Sequence, residues 1–184
     1  MKLMIASDIH GSAVYCRALT DRYREEGADR LLLLGDLLYH GPRNDLPDGY
    51  EPKEVISLLS EIKEDILCVR GNCDTEVDQM VLPFPLLADY AVVLDGNRLI
   101  YATHGHIYNE DRLPPLHPGD ILLCGHTHVP KYTPHSTFTY VNPGSVSIPK
   151  EGSRHSYLIL EDGVFVWKEL SGEEYMRRGA DSVL

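Results

Sequence analysis

The chain has 184 residues with 17 basic and 28 acidic side chains, a formal charge of −11. Its composition, 43% hydrophobic and 24% charged, is that of a globular protein and excludes disordered, collagenous and coiled-coil chains. No apolar run approaches the roughly 18 residues of a membrane span, and with no basic block the surface repels nucleic-acid polymers and anionic membranes at long range.

In chain order, Lys2–Ala6 reads as a short apolar strand, followed by a helix capped by Ser12 that ends at Glu26 before Gly27. Leu31–Leu34 is continuous leucine, the pattern of a strand buried on both faces. A long Gly-, Pro-, Asn- and Asp-rich loop, Gly35–Glu51, leads to a helix predicted over Pro52–Glu64 and a strand over Ile66–Val69. The second half changes pattern. Val92–Leu94 and Leu99–Ala102 flank Asp95-Gly96-Asn97 as a hairpin, and Ile121–Cys124 is another buried strand. Thr137–Val141, Tyr157–Leu160 and Val164–Trp167 complete the strands, the last two joined by Asp162-Gly163. This grammar predicts one α/β (α+β) domain over residues 1–170, with a mixed sheet that curls into a second layer, and a polar C-terminal tail over 171–184.

Cysteines stand at 16, 68, 73 and 124, none in a Cys-x-x-Cys pair, and two lie inside apolar runs. They read as reduced thiols of a cytoplasmic protein, because the N-terminal sequence MKLMIASDIHG lacks the apolar core of an export signal.

The informative pattern is where polar residues fall. The first strand runs into Asp8 and His10, the second into Asp36, the third into Asn72 and Asp74. The Leu99–Ala102 strand runs into His104 and His106, and Ile121–Cys124 into His126 and His128. Singly, these are ordinary cap and turn residues. Five strands that each deliver Asp, Asn or His beyond the carboxyl end place seven side chains at the edge where α/β sheets bind ligands: Asp8, His10, Asp36, Asn72, His104, His126 and His128. Oxygen and imidazole donors without thiolate suit Mn²⁺, Fe²⁺, Ni²⁺ or Zn²⁺. Seven exceed the needs of one ion, and a bridging carboxylate lets two ions about 3.5–4 Å apart share them.

Asp8-x-His10, Gly35-Asp36, Gly71-Asn72-Cys73-Asp74, His104 and Gly125-His126-Thr127-His128, in this order, resemble the calcineurin-like metallophosphoesterases. Asn142-Pro143-Gly144-Ser145 extends the likeness to roughly four-fifths of the chain. The short length, Gly-Asn-Cys-Asp and the loop His40–Asn44 look like the small bacterial phosphodiesterase branch, the YfcE-type proteins.

The resemblance implies a four-layer αββα sandwich, two mixed sheets flanked by helices, with a dimetal site at the carboxyl ends of the strands. It assigns Asp8, His10 and His128 to one ion, Asn72, His104 and His126 to the other, and Asp36 to both. Two divalent ions, Mn²⁺ foremost, then hold a hydroxide that hydrolyses a small phosphodiester. Where many members carry His after the motif Asn, this chain has Cys73, which favours activated or diester substrates.

Arg43 and His40 are the candidate substrate contacts, Arg43 because its planar fork matches two phosphoryl oxygens. Cys73, Asp74 and His106 are candidates for supporting roles around the reaction. Two alternatives share the sequence signature: a phosphomonoesterase at the same site, and a non-catalytic protein-binding scaffold, which tends to lose a ligand where here none is missing. Homo-oligomerisation is left open.

Overall fold

A computed structural model of the chain describes residues 1–179; residues 180–184, the end of the expected tail, lie outside the described residues. The first third forms β1 (Leu3–Ala6), α1 (Ala13–Glu26), β2 (Arg30–Leu33), α2 (Pro52–Ser60) and β3 (Ile66–Cys68), with the three strands parallel. Local chemistry sets α1: the Ser12 hydroxyl accepts the Tyr15 N–H at 3.3 Å, and Gly27 ends the helix in the left-handed region at φ 61°.

The leucine run of β2 alternates between two cores. Leu31 and Leu33 join Met4, Leu19 and Leu59 beneath α1 and α2, while Leu32 and Leu34 face the other way, towards a second sheet. A strand covered on both faces needs no polar alternation.

The second sheet holds β4 (Tyr90–Asp95), β5 (Arg98–Thr103), β6 (Asp120–Leu123), β7 (Lys131–Pro134) and β8 (Phe138–Asn142) in the order β4-β5-β6-β8-β7. The chain then returns to the first sheet as β9 (Ser156–Glu161), β10 (Val164–Glu169) and β11 (Glu174–Gly179), giving the order β11-β10-β9-β1-β2-β3. Both sheets mix parallel and antiparallel pairs. Asp162 and Gly163 both take positive φ, 49° and 77°, as a type I′ hairpin turn requires.

Between the sheets Ile5, Val93, Ile121, Leu158, Phe165 and Trp167 close a shared core. The buried Trp167 indole N–H donates to the Asn142 carbonyl at 2.7 Å, so the largest core side chain leaves no orphan donor. On the outer face of the second sheet, Tyr101, Leu122, Phe138 and Tyr140 pack against Tyr108 and Leu116. Loop 104–119 covers this face where the expected sandwich has helices; among the described residues the α-helices are α1, α2 and α3 (Glu76–Val81).

Most strand ends differ from the sequence reading by a residue or two, and two elements differ by more. The helix expected to reach Glu64 ends at Ser60, because Ile62 leaves helical geometry at φ −120° and drops into the core, followed by a 3-10 turn over Lys63–Asp65. The expected tail is corrected more strongly: Glu174–Gly179 is a strand paired antiparallel with β10. Its polarity suits an edge strand, one flank of which faces water, and Tyr175 and Met176 supply its apolar contacts to the core. β7 and α3 carry too little apolar pattern to be read from sequence.

Glu26, at the end of α1, accepts from Lys2 Nζ at 3.1 Å, Tyr157 Oη at 2.9 Å and Lys168 Nζ at 2.6 Å. Burial opposes its charge, but hydrogen bonds from Lys168, Tyr157 and Lys2 prevail and hold its carboxyl below the usual 4.5. The stabilisation is therefore complete above the unfolded-state pKa and is lost as pH falls through the lower native one. Glu26→Gln should cost about 1–2 kcal/mol at neutral pH, with the deficit shrinking at acid pH; urea unfolding of both proteins across pH 2.5–7 measures it.

Candidate metal centre

Beyond the carboxyl ends of β1, β2, β3, β5 and β6 the chain turns sharply, and the turns carry the predicted donors. Asp8, His10, Asp36, His126 and His128 all lie in the left-handed region, with φ between 48° and 66°. That conformation is disfavoured for residues with a Cβ, although Asp, Asn and His enter it more readily than most. Strained backbone held in place by its surroundings is characteristic of functional sites.

The surroundings are specific. Asp8, His10 and Gly11 donate backbone N–H groups to Gly35, Asp36 and Leu37 at 2.8–3.1 Å, which zips the first donor loop to the second. The Asp74 carboxylate accepts the N–H groups of Gly71, Asp36 and Leu37 at 2.7, 2.8 and 2.9 Å, locking the second loop to the third. Buried Asn142 donates to the Gly125 carbonyl at 2.7 Å, and the Ser145 and Ser147 hydroxyls both donate to the Asp8 carbonyl at 3.0 Å. Close approach explains two glycines: a Cβ on Gly71 would collide with Asp36, and one on Gly125 with Ser7 and Asp8.

The donor atoms converge in two nests. In the first, His10 Nε2 and His128 Nε2 are 3.3 Å apart, and Asp8 Oδ1 lies 3.5 and 3.2 Å from them. In the second, His104 Nε2 is 3.1 Å from both Asn72 Oδ1 and His126 Nδ1. Asp36 Oδ2 stands between, 3.7 Å from His10 Nε2 and 3.4 Å from His104 Nε2.

Three histidines have their tautomers set from behind. Their Nδ1 atoms face the carbonyls of Tyr39 (His10), Leu34 (His104) and Ile148 (His128) at 2.8, 2.6 and 2.6 Å, so Nδ1 carries a proton. In the neutral ring Nε2 is then an acceptor aimed into the nest, the arrangement of metal-bound histidines.

These residues fit divalent cations. Asp8 Oδ1 is buried and has no hydrogen-bond donor, an orphan that a cation satisfies. Burial opposes charge on Asp8, but the imidazoles of His10, His128 and His104 beside it favour the carboxylate and hold its carboxyl well below the usual range. For His104 burial again opposes charge, yet Asp36 and Asp8 raise it to about 9, whereas burial and the neighbouring His104 push His126 down to about 4. Acids and imidazoles thus share their charge in one buried cluster, and a metal ion would compete with protons for these nitrogen atoms.

Five of the seven donors, His10, Asp36, Asn72, His126 and His128, form the floor of an open cavity of about 410 Å³. Arg43 and Cys73, both singled out from sequence, line it; His40 and His106 do not. The His40 ring instead packs edge-on against Tyr39 and Tyr50, centroids 4.7 and 5.3 Å away. His106 lies behind the second nest, 5.3 Å from His104 and 6.3 Å from His126, with its Nδ1 buried and unpartnered. Asp74 supports the loops from below, as described. Sequence reasoning missed Lys150 and Thr127, which line the cavity, and the clasp by Asn142, Ser145 and Ser147. Lys150 follows the Asn142–Ser145 turn closely, but nothing in its neighbours signals that the chain doubles back over the site.

A fold of two mixed sheets with this edge constellation defines a phosphoesterase class. The family model for the calcineurin-like phosphoesterase superfamily domain matches residues 1–162, and the chain belongs to that family. The chain is 46% identical over 164 residues to phosphodiesterase YfcE of Escherichia coli K12, covering 89% of each protein. It is 25% identical to the probable metallophosphoesterase YsnB of Bacillus subtilis, covering 87% of this chain and 83% of that one. A solved structure of the E. coli YfcE phosphoesterase superposes with a TM-score of 0.94 at 42% identity, over 98% of this chain and 100% of that chain. Zinc-bound Vps29 of Entamoeba histolytica, at 20% identity and a TM-score of 0.61 over 98% of this chain and 100% of that one, shares the fold.

Asp74→Asn tests the loop lock. An amide presents at most one acceptor oxygen to three backbone donors, and its NH₂ opposes at least one of them. The expected loss is about 2–3 kcal/mol of stability, together with weaker metal retention, read by thermal melting and elemental analysis.

Proposed function

We propose that this protein is a metal-dependent phosphodiesterase that hydrolyses small phosphodiesters with water as the nucleophile. The observation that carries the reading is the pair of nests sharing Asp36 Oδ2 on the floor of an accessible cavity. Asp8, His10 and His128 would hold one divalent ion, Asn72, His104 and His126 the other, with Asp36 common to both. Bound there, two such ions supply Lewis acidity for the phosphoryl oxygens and lower the pKa of water. Mn²⁺ is the metal proposed first, and Fe²⁺, Ni²⁺ and Zn²⁺ suit the same nitrogen and oxygen donor set.

The chain's own residues do the rest. Arg43 offers a forked cation to a non-bridging phosphoryl oxygen. Asn72 and His126 line the cavity as well as the second nest, so substrate meets the donors directly. Burial and the nearby Asp36 push the Cys73 thiol up to about 12, so it stays protonated and is no nucleophile. All four cysteines are free and buried, and Ser7 Oγ is buried without a hydrogen-bonded base. The attacking group therefore comes from solvent.

A small monoanion suits the cavity better than a polymer, since a surface of net charge −11 repels long polyanions. Among the described residues no helix is long and apolar enough to cross a membrane. The complete set of seven donors favours an enzyme over a protein-binding scaffold, which has no use for it.

Chelation followed by reconstitution tests this reading. Protein stripped with EDTA should lose at least 99% of its activity on bis(4-nitrophenyl) phosphate, recover it with Mn²⁺, and cleave 4-nitrophenyl phosphate more slowly; full activity after verified metal removal overturns it. Residue 73 bears on the leaving group. A thiol is a weak proton donor beside a departing alkoxide, and general acid catalysis is worth about 10²–10⁴-fold. Cys73→His should therefore raise the alkyl-to-aryl diester ratio of kcat/KM, and equal ratios with both metals bound assign no protonation role to this position.

A further inference from the structure

Most basic side chains of this acidic protein are neutralised. Lys2 and Lys168 pair with Glu26, Lys131 with Glu110, Arg17 with Glu54 and Arg154 with Glu169. Arg43 and Lys150 are exceptions: among the described residues neither has a carboxylate within ion-pair reach. Both line the cavity above the donor nests, and the only acidic side chain lining it is Asp36, on the floor.

Hydrogen bonds hold the segments that carry these two cations. The Lys150 backbone N–H donates to the His128 carbonyl at 3.3 Å, and within the Arg43 loop the Asn44 side-chain amide donates to the His40 carbonyl at 2.8 Å. In a protein with twenty-eight acids and seventeen bases, two cations that no carboxylate neutralises at the rim of one cavity give it a local positive charge that the rest of the surface lacks. At about 410 Å³ the cavity also exceeds what a bare phosphoryl group fills, leaving room for a substituent of the substrate.

We propose that Arg43 and Lys150 form a second anion subsite, so that the preferred substrates are phosphodiesters whose non-leaving arm bears a further phosphate or carboxylate. The inference rests on the phosphodiesterase reading. The reacting phosphodiester brings one negative charge, which the donor floor and its cations accommodate. A second anionic group meets Arg43 and Lys150 at the rim, where Thr127 and Asn44 offer additional hydrogen bonds. Arg43 then serves mainly to select the arm, with contact to the phosphoryl oxygens secondary.

The test uses substrates alike except for the arm. Values of kcat/KM for bis(4-nitrophenyl) phosphate and for 4-nitrophenyl 4-carboxyphenyl phosphate give a preference ratio. Dissociation constants of diphenylphosphinate and phenyl(4-carboxyphenyl)phosphinate, which have no ester bond to cleave, from calorimetry on the metal-loaded protein, give a second ratio that does not depend on turnover. A partly exposed ion pair is worth up to about five-fold in affinity, so the wild type should prefer the carboxylate arm by about 5- to 20-fold in both. Lys150→Gln and Arg43→Gln should each lower the ratios about five-fold, and Lys150→Glu should bring them to one or below. A 4-phosphonophenyl arm distinguishes the two anions: a larger preference for it assigns the subsite to phosphate, and an equal or smaller one to carboxylate. Wild-type ratios of one, or ratios unchanged in all three variants, overturn the subsite while leaving the phosphodiesterase reading intact. Failure to hydrolyse either diester after metal loading overturns that reading, and the inference with it.

Discussion

Asp36 has two carboxylate oxygens, and the Cys73 N–H fixes one of them at 2.7 Å, leaving only Oδ2 to face the nests. Because Oδ2 sits 3.7 Å from one histidine nest and 3.4 Å from the other, both depend on where this oxygen lies. Its position is set by a chain of backbone contacts: Asp74 grips the Asp36 N–H, Gly71 passes close enough that no side chain fits, and the first donor loop hangs from the Asp36 carbonyl through His10. A shift at any link moves both nests together, so metal binding and loop order are coupled.

The arrangement costs stability. Each left-handed residue with a Cβ is disfavoured by about 1–2 kcal/mol, and five donors adopt that conformation. Placing buried carboxylates and imidazoles side by side adds desolvation. The offset comes from hydrogen bonds that a loop seldom has in such number, including the three N–H groups on Asp74 and the serine pair on Asp8. The two sheets contribute by being rigid: Trp167, Phe165 and Leu32 fill the space between them and hold the strand ends in register.

The candidate donor residues were legible in sequence because strand-then-polar punctuation recurs five times; the fold brings those strand ends together from two sheets, β1, β2 and β3 in one and β5 and β6 in the other. The doubly buried β2 was legible for a similar reason, the run Leu31–Leu34 needing apolar cover on both faces. The left-handed conformations were not, since Asp and His occur freely in ordinary turns. The serine clasp was missed because its bonds to Asp8 span more than a hundred residues, and Lys150 because no local pattern marks the return of the chain over the cavity. His40 looked like a substrate contact from its loop position, but two tyrosines claim its ring. β11 hid behind its own polarity, as an edge strand with one open flank can.

The clasp from Asn142, Ser145 and Ser147 also sets an order of assembly. All seven donors lie before residue 129, yet the carbonyl of Asp8 is gripped by residues that follow β8. A chain growing from its N-terminus therefore synthesises every donor before it can hold them in place. Until residue 147 has emerged, Asp8 and the loop after β6 lack this clasp, and histidines and carboxylates meet ambient ions with part of their support missing. The full set of contacts that shapes the nests exists only when nearly four-fifths of the protein has been made, so the ion that first touches the nascent chain need not be the one the folded protein keeps.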